Sequence, residues 1–153
     1  MLEQFIKSIF AYFVRIEPMN AYVQSIPEGV QYPCYLLNKC DIRTEALNSY
    51  YFVNTVHLYV RCFGTNELEL KNKVNGLTNT IFAEHRKIPI LNEDGTNTDR
   101  FVRIENIESI EINVDENEMY CVELNFNFDT THIVNQNEFQ LIEKVLFETE
   151  LSD

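Results

Sequence analysis

The segment Tyr50–Phe63, YYFVNTVHLYVRCF, contains neither Pro nor Gly and is dominated by aromatic and β-branched side chains. Such side chains suit a pleated, packed surface, so a long strand must anchor any fold this chain adopts. Alternation divides the segment into two faces. Phe52, Val56, Leu58, Val60 and Cys62 share one, interrupted by Asn54, and Tyr51, Val53, Thr55, His57, Tyr59 and Arg61 share the other. The second face mixes aromatic and polar groups. That mixture suits a surface covered by a helix or turned towards another subunit better than open water. Gly64 marks the exit, and Asn66 with Glu69 has capping-box spacing. Leu70, Val74, Leu77, Ile81 and Phe82 then trace a helical stripe to about His85, with Gly76 inside it at a place where close packing on a sheet would use it.

The flanking segments complete the pattern. Residues 2–17 form an amphipathic helix with Leu2, Phe5, Ile6, Ile9, Phe10 and Phe13 on one side, and Pro18 ends it. An extended piece at Ala21–Ile26 meets the turn Pro27-Glu28-Gly29. A strand at Tyr32–Ile42 follows, with Cys34, Leu36 and Asn38 on one face and Tyr35, Leu37 and Lys39 on the other. The loop Arg43–Ser49 leads into the long strand. Beyond the second helix, Lys87–Leu91 is a short strand. Asn92–Asp99, NEDGTNTD, is a polar turn with Asp94-Gly95 at its tip. Phe101–Val114 carries both a three-residue and a two-residue apolar repeat. Its β-branched content selects a strand with a bulge near Asn106–Ser109. Asp115-Glu116-Asn117 turns into Met119–Asp129, where Tyr120, Val122, Leu124, Phe126 and Phe128 alternate with Glu123, Asn125 and Asn127. Asn135 then caps a last helix over Gln136–Glu148.

The resulting order is α-β-β-β-α-β-β-β-α. It predicts one α+β domain over residues 1–153, a mostly antiparallel sheet flanked by about three helices. The expected core joins Phe5, Ile9, Phe10 and Phe13 to Phe52, Val56, Leu58 and Val60 and to Tyr120, Val122, Leu124 and Phe126.

Charge and motif content narrow the function. The 153 residues carry 24 acids against 12 bases, a net charge of −12. Such a surface repels phosphate backbones, so nucleic acid is not an expected ligand. Glu3 and Lys7 interrupt the N-terminal apolar run, so no signal peptide is expected, and no stretch of about 18 apolar residues predicts a membrane span. Cys34, Cys40, Cys62 and Cys121 lie in apolar strand contexts and read as reduced core residues. They form no C-x-x-C, and His57, His85 and His132 form no metal-ligand pair. The four glycines build neither a dinucleotide nor a phosphate loop, and no serine sits in a nucleophile elbow. The acid clusters Glu67/Glu69, Glu105/Glu108/Glu111 and Asp115/Glu116/Glu118 have no accompanying cluster of His, Arg or aromatic residues and read as solvated faces. The expectation is a protein without catalytic residues, cofactor or metal.

The element order, the strand start Gln31-Tyr32-Pro33-Cys34-Tyr35-Leu36-Leu37, the long aromatic strand ending near Phe63, the E/K-rich helix and the terminal alternation Glu123–Phe128 carry one resemblance. Together they resemble the tail terminator, or tail-completion, proteins of long-tailed bacteriophages, over nearly the whole chain. The resemblance implies a non-enzymatic virion protein, assembled in the bacterial cytoplasm. It implies a homo-hexameric ring at the head-proximal end of the tail tube, which stops tube polymerisation and docks the head–tail connector protein. Its partners would be itself, the tail tube protein and the connector, with DNA only as passing cargo. By the same resemblance Asn92, Glu93, Asp94, Gly95, Thr96, Asn97, Thr98 and Asp99 would form a loop reaching the adjacent ring. Two other readings suit the sequence: another neck or head-completion component, and an acidic DNA mimic that inhibits a nucleic-acid-binding enzyme.

Overall fold

The computed structural model describes residues 2–23, 28–114 and 119–134. Within them the order is α1 (Leu2–Ile16), β1 (Asn20–Tyr22), β2 (Cys34–Ala46), β3 (Tyr51–Gly64), α2 (Glu67–Ala83), β4 (Lys87–Leu91), β5 (Asn97–Ile112) and β6 (Tyr120–Ile133). The helix expected at Gln136–Glu148 lies outside the described residues. The six strands form one sheet in the order β1-β2-β3-β6-β5-β4.

The expected architecture is corrected in two respects. Two helices, not three, accompany the sheet among the described residues. The sheet is also mixed, because β1 runs parallel to β2 through Asn20↔Cys34, Ala21↔Tyr35 and Tyr22↔Leu36, while every other pair is antiparallel. The extended piece before the turn at Pro27-Glu28-Gly29 belongs to a sheet expected to be mostly antiparallel. The connection over residues 23–33 is instead long enough to return the chain to the same end of the sheet, as a parallel pair requires.

Both helices pack on one face. Val56, Leu58, Val60 and Cys62 of β3 lie opposite Phe128, Phe126, Leu124 and Val122 of β6, and all are buried. Phe13 meets Phe126 edge-on at 5.6 Å, and Phe5 meets Phe128 at 5.9 Å. Leu70, Val74, Leu77 and Ile81 close the core from α2. The Asn66 side chain caps that helix by accepting from the Glu69 amide at 2.9 Å, as the spacing predicts.

Four side-chain expectations are corrected. Phe52 is half-buried and lies outside the core, because it sits at the start of β3 beyond the reach of both helices. Tyr120 is 41% exposed, because it sits at the very start of β6 opposite Gly64. Gly76 faces the Glu17 carboxylate, 3.0 Å from where a Cβ would stand, and not the sheet. Lys39 leaves the face of Tyr35 and Leu37, because the register shifts between Leu37 and Lys39. Asn38 is the extra residue of a bulge, and one added residue moves every later side chain to the opposite face. The bulge expected in β5 is present, with the register shifting between Ile104 and Ile107.

All four cysteines are free, with Cys34, Cys62 and Cys121 buried and Cys40 half-buried. Burial pushes the Cys62 thiol well above its usual range and the Cys121 thiol up to about 11. Burial raises Cys34 too, and Cys40 through burial and then the neighbouring Asp41. The thiolate is the nucleophile, so a thiol reagent at pH 8 should spare Cys34, Cys62 and Cys121 in the native protein and reach all four cysteines after denaturation. Fast native labelling of Cys62 would place the inward face of β3 wrongly.

Candidate interaction surface

Beyond Ile42↔Val56, strands β2 and β3 run on to Ala46↔Phe52, and β6 accompanies them to Tyr51↔Ile133. Every residue from Asp41 to Tyr51 is exposed. The three strand ends therefore form an arm that neither helix covers, roughly 15 Å long at the usual strand rise. Asn48 closes its tip by accepting from the amides of Tyr50 and Tyr51 at 2.8 and 3.0 Å. Val134 N–H donates to the Tyr50 carbonyl at 2.8 Å, which ties the end of β6 to the tip.

The arm is ordered by side chains rather than by a core. On one face Thr44 donates to Asn54 Oδ1 at 2.7 Å, and Phe52 stacks on His132 at 5.1 Å. On the other, Thr55 donates to Asp129 at 2.8 Å, and Arg43 pairs with Glu45 at 2.7 Å. Its apolar side chains are unusually open: Ile42 is 50% exposed, Leu47 59% and Ile133 66%. Concentrated apolar exposure on a narrow ribbon is the mark of a contact surface.

The face that carries Arg43 and Thr55 continues down the body as a layer that α1 and α2 leave uncovered. His57 and Tyr59 stack in parallel at 4.4 Å, with the Lys39 ammonium 5.5 Å from the Tyr59 ring. Arg61 Nε donates to the buried Glu123 at 3.0 Å, and Asn38 reaches the same carboxylate at 3.4 Å. This is the aromatic and polar face that the alternation of β3 foretells. Among the described residues no helix covers it.

The Asn92–Asp99 segment divides in two. Asn97, Thr98 and Asp99 belong to β5, and Thr98 Oγ1 donates to the Ile90 carbonyl at 2.7 Å. Asn92–Thr96 is a tight turn, in which Asn92 N–H donates to the Thr96 carbonyl at 2.8 Å. Asp94 accepts from the Thr96 amide at 2.9 Å and from its hydroxyl, contacts that hold its carboxyl below the usual range. Gly95 supplies the positive φ of +86° that the tip demands. Below the turn, α1 binds the end of β4. Gln4 donates to the Leu91 carbonyl at 2.9 Å, and Leu91 N–H donates to Ser8 Oγ at 2.9 Å.

No family model matches the sequence. The chain is 23% identical over 108 residues to the uncharacterized protein YqbJ of Bacillus subtilis (strain 168), covering 71% of this chain and 74% of that one. The fold matches a chain from a solved structure described as the virion of a native gene transfer agent particle. That match has a TM-score of 0.54 at 9% identity, covering 83% of this chain and 91% of the other. The chain thus shares its fold with a virion component. The sequence offers no signal for the arm, because Arg43, Thr44, Glu45 and Ala46 read as loop.

Proposed function

We propose that this chain is a structural protein of a phage-like particle and, within it, the tail terminator. It forms a hexameric ring on the head-proximal end of the tail tube, ends tube growth and receives the connector. The observation that carries the reading is the fold shared with a virion chain over most of both chains. The surfaces agree with it. A ring subunit needs two different lateral surfaces that close by rotation, and the open arm offers one. It also needs an end that meets other rings, and the Asn92–Thr96 turn supplies one. The net charge of −12 keeps passing DNA from adhering. In this role the chain is not an enzyme and carries no cofactor. A DNA mimic would present carboxylates in a phosphate-like row, whereas this sheet face alternates Lys39, Asp41, Arg43 and Glu45.

Purified protein added to polymerising tube protein should stop elongation at one end. Replacing Asn92–Thr96 by a two-residue Asn-Gly turn, which joins the paired Leu91 and Asn97 directly, should preserve folding. It should impair tail completion or head joining. Normal particle yield from that variant would return the turn to ordinary surface.

A further inference from the structure

The two outer edges of the sheet are treated in opposite ways. The edge strand β4 is short, contains Pro89, and has the backbone at its end bound by Gln4 and Ser8 of α1. These are standard defences against pairing with another chain. Among the described residues the opposite edge has a partner where β1 covers Cys34–Leu36 and nowhere else. From the Asn38 bulge to Ala46, β2 pairs with β3 on one side and with nothing on the other among the described residues. That stretch contains neither Pro nor Gly.

The side chains of the open edge carry a register. Lys39, Asp41, Arg43 and Glu45 share one face and alternate in sign, while Cys40, Ile42 and Thr44 share the other. Let a second copy of the strand lie antiparallel alongside, with Ile42 opposite Ile42. Lys39 then faces Glu45 and Asp41 faces Arg43, so every charge meets its opposite, on both sides of the two-fold axis. Sliding by two residues in either direction sets Lys39 against Arg43 or Asp41 against Glu45. Directly opposed like charges destabilise a strand pair, and opposite charges stabilise it. In the single chain the same groups pair along their own strand, Lys39 with Asp41 at 3.4 Å and Arg43 with Glu45 at 2.7 Å, all well exposed and free to exchange partners.

We infer that the outer edge of β2, Lys39–Ala46, is a strand-addition surface for a second copy of this chain, joined antiparallel about a two-fold axis at Ile42. The contact is isologous and saturates at two copies. It is therefore distinct from the heterologous contacts that close a ring and does not rest on the ring reading. A single added strand falls in the size class of transient association. It covers an edge that would otherwise recruit any extended chain.

Sedimentation of the full chain at 0.15 M salt, over about 1 μM to 1 mM, should show a reversible dimer. Two variants test the register. Lys39→Glu with Arg43→Glu makes the edge wholly acidic, and Asp41→Lys with Glu45→Lys makes it wholly basic. Each alone should dimerise at least about ten-fold more weakly than the parent. An equal mixture should form a heterodimer at least as tight as the parent dimer. Circular dichroism checks that both remain folded. A parent that stays monomeric throughout overturns the inference. So do variants that self-associate like the parent, or a mixture no better than its parts. A larger assembly unaffected by either variant would leave the ring standing and remove the edge pairing. An edge-dependent dimer that cannot stop tube growth would do the reverse.

Discussion

Phe126→Ala should cost about 3–5 kcal/mol of folding stability. Phe126 is 1% exposed, lies opposite Leu58 in β3, and receives Phe13 of α1 edge-on at 5.6 Å. The substitution removes the ring that ties the first helix to the centre of the sheet and leaves a cavity that the strands cannot collapse to fill. Domains of this size hold only about 5–15 kcal/mol in total. The variant should therefore stand near the edge of unfolding at 37 °C. Urea denaturation reads the loss directly, and a change below about 1 kcal/mol would mean that α1 does not pack where the structure places it.

Shortening the arm should act oppositely, sparing stability and removing assembly. Arg43 pairs with Thr55, so replacing Thr44–Asn54 by Asn-Gly closes the hairpin on an existing pair. Of the residues removed in this way, Thr44–Tyr51 are exposed, Phe52, Val53 and Asn54 are half-buried, and none belongs to the buried core. The melting temperature should move by only a few degrees, on the order of 1 kcal/mol. Capping of tail tubes should fall at least about ten-fold, equivalent to 1.4 kcal/mol of lost contact energy. Normal capping by the shortened chain would take the arm out of the ring contact.

The centre of the fold is legible in the sequence because its alternation has one physical cause. Leu124, Phe126 and Phe128 face the helices while Glu123, Asn125 and Asn127 face away, and both periods survive unchanged in the sheet. The β5 bulge is legible for a related reason, since Ile104 and Ile107, three residues apart, cannot both face Phe128 and Phe126 from an unbroken strand, although Ile110 turns outward opposite Glu123.

The arm is not legible. Arg43, Glu45 and Ala46 have low strand propensity, and what extends them is pairing with β3, a tertiary effect invisible to local pattern. The parallel β1 is hidden for the opposite reason, because a strong turn signal dominates the reading of its connection. The Asn38 bulge carries no residue signature, so Lys39 could not be placed on its true face. For the candidate surface, Asp94-Gly95 announces the turn. The threonine and asparagine content of Asn97–Asp99 conceals that β5 has already begun there.

Tail-tube length in particles made without this chain tests the tail-terminator role most directly. A terminator sets where growth stops, so its loss should leave tubes of widely varying and excessive length, none joined to a head. Electron microscopy measures the distribution, and restoring the chain should narrow it to one length. Tubes of normal length joined to heads in the absence of the chain would contradict the account.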